Sequence, residues 1–205
     1  MKKRVQKSVS LFLVAIFSVG IFTACQKTPS QETIETTANS SSDLIYEITD
    51  WTMEDLITDM EICGQKISLP CSVADMENGF KLRDEPTYIE SDNFTADSLY
   101  YEDSYVATVY VNGNIDKTIK DNNIALLFIS DGMGENKNGI SEFNIMGITD
   151  KSSAEDVIKI LGEPNVSEGT RSYRYFFNDH EHIAILFDEN DMIKAVSVYY
   201  NKMAN

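Results

Sequence analysis

Alternating apolar and polar residues predict six strands in two groups of three. The first group comprises SLYYED, SYVATVYV and NIALLFIS, between residues 98 and 130, and the second comprises RSYRYFF, HIAILF and MIKAVSVYY, between residues 171 and 200. The polar segments NDHEH and DEND separate the strands of the second group, as is typical of consecutive hairpins. The pattern therefore predicts two three-stranded antiparallel meanders.

A short capped helix is predicted ahead of each meander. Residues 72–86, SVADMENGFKLRDEP, and residues 153–164, SAEDVIKILGEP, both begin with Ser-x-x-Asp, contain a glycine and end in Glu-Pro. The serine hydroxyl can accept the amide proton three residues later, and the glycine can end the helix in the left-handed conformation. The predicted buried residues are Val73, Met76 and Phe80 in the first copy and Val157, Ile158, Ile160 and Leu161 in the second.

The order strand, helix, three strands is thus used twice. The strand-like segments KISLP and EFNIMGI precede the two helices. Because runs of strands follow each helix instead of alternating with helices, we expect a mostly antiparallel sheet and the α+β class. The expected repeats are 44–138 and 139–205, which form one compact unit. A chance similarity between two capped helices is the alternative to a true duplication.

The N-terminus has the composition of a signal peptide. The segment MKKRVQK contains four basic residues and no acid, and an apolar run from about Val9 to Phe22 follows it. That run is shorter than the roughly 20 residues that cross a membrane as a helix. Thr23 and Ala24 then supply a small-residue cleavage site, so residues 1–24 are predicted to be removed.

The residues before Cys25 resemble the bacterial lipobox. Phe22-Thr23-Ala24-Cys25 matches its pattern of an apolar residue, a small residue and alanine before cysteine, with Phe22 where leucine is usual. The resemblance implies a lipoprotein whose Cys25 carries a diacylglyceryl group, with palmitate among its acyl chains, on the extracytoplasmic side of the cell membrane. Two acyl chains hold a protein firmly where one holds it marginally. An ordinary secretory cleavage near Ala24 is the alternative.

Residues 25–43 are expected to be a disordered tether that carries the lipid. They contain one isoleucine and otherwise small or polar residues, too little apolar surface to offset the entropy of ordering. The chain has 17 Lys and Arg against 33 Asp and Glu; removal of the four leader bases leaves 13, a net charge of −20. This charge argues against a nucleic acid partner and against membrane contact other than through the lipid.

The C-terminal part resembles a known unit of exported bacterial proteins. The tract GITDKSSAEDVIKILGEPN, followed by YRYFF and HIAILFDENDMIKAVSVYY, is similar to the helix-then-meander unit of SmpA/OmlA-type lipoproteins and of tandem-repeat β-lactamase inhibitor proteins. It also resembles lipoproteins of Gram-positive anaerobes. The match covers roughly residues 147–200 and, more loosely, the first copy. The resemblance implies a noncatalytic protein that docks on another protein.

Few residues offer chemistry. The only histidines, His180 and His182, lie two apart in NDHEHI and would share a strand face with acids nearby, which makes them weak candidates for a surface metal site. A polar hairpin turn is the favoured interpretation, because zinc needs three or four converging ligands. The glycine-rich segment 130–139 lacks the Gly-Lys-Ser/Thr ending of a phosphate loop, and 188–191 lacks the glycine and the bidentate Glu of a calcium loop. No cofactor is predicted.

Cys63 and Cys71 are expected to be free thiols. Gly64 and Gln65 lie between two alternating runs and predict a hairpin turn beside Cys63, with Cys71 at the far end of the return strand. That separation exceeds the roughly 4.4 to 6.8 Å that a disulfide allows between Cα atoms. Neither cysteine lies in a known nucleophile signature.

Tyrosines are concentrated on the predicted strands. They are Tyr100, Tyr101, Tyr105, Tyr110, Tyr173, Tyr175, Tyr199 and Tyr200. Cross-strand packing is the common role of such residues, and an aromatic binding surface is the alternative. If they bind a partner, Tyr173 and Tyr175 of the second meander are the first candidates.

These observations favour a membrane-anchored, noncatalytic protein-interaction module over an enzyme. Its expected partner is an envelope or secreted protein of unknown identity. A small-ligand or glycan receptor is the alternative, and it requires a deep pocket. An envelope hydrolase is the third hypothesis, and it requires converging acids or the two histidines in a cleft.

Overall fold

The computed structural model describes residues 51–76, 79–115, 119–132, 136, 139–169 and 171–201. These residues belong to one compact unit. The helices are α1 (Met53–Thr58) and α2 (Ala154–Leu161), with 3₁₀ turns at Val73–Asp75 and Ile119–Asp121. The strands are β1 (Met60–Ile62), β2 (Gln65–Ile67), β3 (Phe80–Leu82), β4 (Thr87–Ile89), β5 (Phe94–Tyr101), β6 (Ser104–Asn112), β7 (Leu126–Ile129), β8 (Phe143–Ile145), β9 (Ile148–Thr149), β10 (Val166–Ser167), β11 (Ser172–Asn178), β12 (Glu181–Phe187) and β13 (Ile193–Tyr200).

The expected α+β class is wrong. Strands hold 47% of the described residues and helices 14%, and the described part contains 13 strands in two antiparallel sheets with two α-helices. The chain is therefore mostly β and is not a pair of repeated helices on a sheet. The expected helix of the first copy is a single 3₁₀ turn, Val73–Asp75, after which Met76 is already extended. Only Val73 of that turn is buried, so an extended helix there would have little to bury.

Both meanders are confirmed as sets of antiparallel strands. The large sheet has the order β10-β11-β12-β13-β7-β6-β5-β3, and β4 also pairs with β5. The small sheet has the order β2-β1-β8-β9. Each sheet has an antiparallel pair of strands at its centre, β7–β13 in the large sheet and β1–β8 in the small sheet. The division into repeats 44–138 and 139–205 stays a prediction, as does their duplication.

The core lies between the large sheet and a layer made of the helices and the small sheet. Leu56 and Ile57 of α1, Val157 of α2 and Phe143 of β8 belong to one buried cluster with the sheet residues. Trp51 joins the layers, because its Nε1 donates to the carbonyl of Leu161 at 3.0 Å and its ring contacts two aromatic residues of β11. The face of the large sheet towards this layer is called the inner face.

The second predicted helix is confirmed as α2. The Ser153 hydroxyl accepts the amide of Asp156 at 3.2 Å, and the Asp156 carboxylate accepts the backbone amide of Ser153 at 3.0 Å. Gly162 follows the helix with φ 82°. The same box occurs at the start of α1, where Thr52 and Asp55 exchange the same bonds. Helix α1 was not predicted from the sequence, although its Thr-x-x-Asp spacing was present.

The first hairpin turns one residue earlier than expected. Ile62 pairs with Gln65, so the two-residue loop is Cys63-Gly64, and both loop residues have positive φ, 53° and 73°. This is the combination that a two-residue hairpin favours. Cys63 and Cys71 are both free thiols in the structure.

None of the helices within the described ranges has the length and apolar character that crossing a membrane requires. The predicted signal peptide, Cys25 and the tether lie outside the described residues.

The capping box of α2 gives a stability prediction. Ser153→Ala removes the acceptor for the Asp156 amide, and we expect it to lower the free energy of unfolding by about 1 kcal/mol. Urea unfolding followed by circular dichroism measures the change. Ser104→Ala is the control, because Ser104 is exposed at the start of β6 and its loss should cost less than about 0.5 kcal/mol. Equal effects of the two variants would contradict the role of the box.

Candidate functional site

The face of the large sheet opposite the inner face is called the outer face. On β12 the inner positions Ile183 and Ile185 are fully buried, while Ala184 is half-buried and Leu186 is 41% exposed. Side chains alternate between faces along a strand, and residues paired across strands share a face. The register therefore places these residues on the outer face: Arg174, Phe176, His182, Ala184, Leu186, Ser197, Tyr199, Leu126, Phe128, Thr108, Tyr110 and Phe94.

The outer face is partly covered: Tyr105 and Tyr110 are only 4% and 7% exposed, whereas Phe94, Phe176 and Tyr199 are half-buried. The buried cluster that joins α1, α2 and the small sheet to the large sheet uses inner positions such as Leu127, Val198 and Ile183. One corner of the outer face is covered by a turn, because a Cβ at Gly132 would lie 2.7 Å from the ring of Tyr105. Glycine suits position 132 for two reasons: a side chain would clash with Tyr105, and the backbone has a φ of 61°, which glycine adopts without strain.

An aromatic stripe crosses the outer face near one end of the strands. It consists of Phe176, His182 and Tyr199 from the three strands of the second meander, and Phe94 and Tyr110 from two strands of the first. Successive ring centroids are separated by 5.2 Å, 4.8 Å, 6.3 Å and 6.2 Å in that order. The rings are tilted or edge-to-face, which are favourable geometries for aromatic pairs. Four of the five side chains are half-buried and so keep some contact with solvent.

A pair of amides fixes the middle of the stripe. Asn112 at the end of β6 donates to the Asn201 side-chain oxygen at 2.8 Å, and Asn201 donates back at 3.1 Å. The same Asn201 amide donates to the hydroxyl of Tyr199 at 3.2 Å. The tyrosine hydroxyl is thus held in place, and the ring is presented on a rigid sheet.

His182 is a neutral member of the stripe at physiological pH. Burial between the rings of Phe176 and Tyr199, and secondly the charge of nearby Arg174, lower the pKa of its imidazole to about 4. The imidazole of His182 therefore packs in the stripe as an uncharged aromatic ring and not as a cation. Burial also raises the pKa of Tyr110 to about 12, with smaller contributions from Tyr105 and Asp92, so its phenol is protonated.

The candidates Tyr173 and Tyr175 lie on the inner face. Their side chains are 7% and 2% exposed. The ring of Tyr173 packs on Phe187 at 4.9 Å, and the hydroxyl of Tyr175 donates to the carbonyl of Gly162 at 2.9 Å. They are core residues that connect β11 with β12 and α2, and a surface partner does not reach them.

The eight strand tyrosines divide equally between the two faces. Those of the outer face are Tyr100, Tyr105, Tyr110 and Tyr199. Those of the inner face are Tyr101, Tyr173, Tyr175 and Tyr200. Tyr100 and Tyr199 of the outer face are half-buried, whereas Tyr105 and Tyr110 are only 4% and 7% exposed, so packing is the role that the structure shows for most of the eight. Sequence analysis named Tyr199 in its tyrosine set but missed Phe94 and Phe176 as surface aromatics, whose only signal was the period of two.

The two histidines do not share a site. His180 lies in the turn between β11 and β12, whereas His182 is within the stripe. Among the described residues no group of three or more His, Cys, Asp or Glu side chains is arranged to hold a metal ion. The segment 188–191 is a tight turn in which the Asp188 carboxylate accepts the amides of Asn190 and Met192 at 2.8 and 3.0 Å.

The thiols are not activated. Burial, followed by the charges of Glu142 and Glu102, raises the pKa of Cys63. Burial and the charge of Asp75 raise the pKa of Cys71 to about 11. A nucleophilic cysteine needs the opposite shift, because the thiolate is the reactive form.

An open groove of about 680 Å³ lies at the other end of the strands. Its charged lining residues are Asp131, Asp150, Arg171, Asp188, Glu189 and Lys194. Acids and bases are mixed there, and Asp188 is already used by the β12–β13 turn. The groove is open and polar, in contrast to the largely apolar clefts that enclose small molecules.

Comparison with known proteins adds no relative: no family model, curated protein or solved structure matches this chain. The candidate site is therefore argued from its own geometry, and the outer face with its aromatic stripe is the feature on which a function can be built.

The buried position of His182 gives a pH prediction. The imidazole binds a proton less readily in the folded chain than in the unfolded one, whose pKa is 6.5. The stability linked to His182 is therefore complete above pH 6.5 and is lost as the pH falls towards 4. We expect the parent protein to lose about 2 kcal/mol between pH 7 and pH 5 through this group.

Urea unfolding at the two pH values measures this loss. His182→Phe keeps a ring in the stripe and should abolish the loss, whereas His180→Asn should preserve it. If the two variants respond to pH alike, His182 is not the group responsible.

Proposed function

We propose that this chain is an extracytoplasmic lipoprotein, held on the cell membrane through Cys25, whose folded part is a noncatalytic protein-interaction module. The outer face of the large sheet is its docking surface, and its partner is another envelope or secreted protein. The observation that carries this proposal is the aromatic stripe of the outer face, in which four of the five side chains are half-buried and in contact with solvent.

Aromatic side chains on a rigid surface suit protein recognition. Tyrosine and phenylalanine are enriched in the cores of interfaces, where a few such residues supply most of the binding energy. The ring contacts of the stripe and the Asn112–Asn201 pair order these side chains before any partner arrives. Less entropy is then lost on binding, which favours affinity.

The surroundings of the stripe extend the apolar area. Leu186, 41% exposed, is one of the two large apolar side chains that are exposed among the described residues. It shares the outer face with Ala184 and with Phe176, which is paired to His182 on the neighbouring strand. A contiguous apolar area on one side of a sheet is typical of an interaction surface.

The electrostatics support the same proposal. The net charge of −20 after loss of the leader repels nucleic acid and anionic lipid headgroups, which leaves the lipid on Cys25 as the membrane contact. The raised pKa values of Cys63 and Cys71 and the low pKa of His182 leave these groups in unreactive or neutral forms. These features favour binding over catalysis.

The lipid anchor gives the first test. We expect the parent protein to partition into membranes, and a Cys25→Ser variant to appear in the soluble or secreted fraction, because no acyl group can attach to serine. Cys63→Ser is the matched control and should leave the membrane fraction unchanged. Mass spectrometry of the N-terminus should show a diacylglyceryl cysteine. An unmodified N-terminus, or equal partitioning of the variants, would contradict the anchor.

The docking surface gives the second test. Cross-linking in native cells, followed by a pull-down from detergent-solubilised membranes, should capture a specific envelope or secreted protein. Leu186→Asp should reduce the capture at least about tenfold, because a charge in an interface core is strongly unfavourable.

Tyr88→Asp is the control for that test. Tyr88 is similarly exposed, at 38%, but pairs with Thr95 and points to the opposite side of the sheet. Thermal unfolding should show that both variants are folded. Equal capture by Leu186→Asp and the parent would reject the outer face. Specific binding of an oligosaccharide instead of a protein would favour the glycan receptor.

A further inference from the structure

We propose that the partner presents a cationic surface, and that its arginine or lysine side chains lie against the aromatic stripe. This inference rests on the proposed function and adds the chemistry of the partner. It follows from the charges on and around the outer face.

Three cations of the outer face have partners within the chain. Arg83 donates to the hydroxyl of Tyr100, with its guanidinium carbon 5.6 Å from the centroid of that ring. Lys81 pairs with Asp103 at 2.7 Å, and Arg174 pairs with Glu168 at 3.5 Å. These three cations of the outer face therefore already have partners among the described residues.

The acids beside the stripe are not paired in this way. Glu90, Asp92 and Asp179 form no ion pair with any residue in the described ranges. Glu90 and Asp92 precede Phe94 in the turn between β4 and β5, and Asp179 lies in the turn between Phe176 and His182. Asp92 is close enough to raise the pKa of Tyr110. These three acids thus have no ion-pair partner among the described residues.

A cation satisfies both the rings and the acids. Arginine and lysine bind the faces of aromatic rings, with a gain of roughly 0.5 to 2 kcal/mol that grows as water is excluded. A guanidinium over Tyr199 or Phe94 would also lie near the acids of the adjoining turns. The Arg83–Tyr100 contact shows the same chemistry within this chain.

The charge of the chain also argues against a second copy as the occupant. Two copies docked through their outer faces would each bring a net charge of −20 and the same acidic turns together. Like charges facing each other oppose association. The same field attracts a basic partner and speeds its encounter.

The test uses the full-length protein, isotope-labelled and in detergent micelles, with a soluble peptide in which arginines alternate with glycine and serine. The control peptide has citrulline, which has the shape of arginine without its charge. We expect the arginine peptide to bind and to shift the resonances of Phe94, His182 and Tyr199. The citrulline peptide should bind roughly two- to thirtyfold more weakly.

Variants separate the stripe from net charge. Tyr199→Leu keeps an apolar side chain but removes the ring, and Asp179→Asn removes one acid beside the stripe; each should weaken binding of the arginine peptide at least about twofold. Glu189→Gln removes the same charge from the turn at the opposite end of β12 and β13 and should leave binding unchanged.

Three results would overturn the inference: equal binding of both peptides, an effect of Glu189→Gln as large as that of Asp179→Asn, or a dimer that Tyr199→Leu dissolves. The pull-down tests the proposed function separately from the cationic partner. If the pull-down captures a protein in a Leu186-dependent manner while the arginine peptide does not bind, the docking surface stands and the cationic partner is rejected. If neither binds, both are rejected.

Discussion

The antiparallel pairing of β7 with β13 is the interaction on which the rest of the structure depends. Each meander alone would be a three-stranded sheet with a bare edge. Pairing of Leu127 with Val198 and of Ile129 with Val196 joins them and buries all four side chains to 1% exposure or less. The β1–β8 pair joins the small sheet in the same manner. The β7–β13 pair thus gives the large sheet one continuous inner face, and the helices pack on that face.

The same pairing assembles the outer face. Phe176, His182 and Tyr199 come from the second meander, whereas Phe94 and Tyr110 come from the first, and they form one stripe only because β13 lies beside β7. The stripe therefore depends on long-range pairing and not on any short motif. Its neutral imidazole and ordered rings follow from that arrangement. We propose that this surface recognises another macromolecule and that a lipid on Cys25 holds the protein at the membrane.

The sequence predicted the local elements better than their layering. The six strands of the meanders and α2 could be found because alternation and the Ser-x-x-Asp box act over a few residues. Helix α1 has the same box at Thr52, but its six residues give a weak periodic signal. Alternation also shows that β11 has two faces without showing which one the core covers. Tyr175 and Phe176 are neighbours of similar character, and only the packing of Trp51 on Tyr175 decides between them.

Trp51 is the sole tryptophan of the chain, and it lies two residues before α1. Its indole contacts the rings of Tyr175 and Phe177 and donates to the end of α2. Emission from this tryptophan therefore reports whether Trp51, α2 and β11 are assembled. The intrinsic fluorescence of Trp51 can therefore follow the contact between the large sheet and the helix layer without an added label.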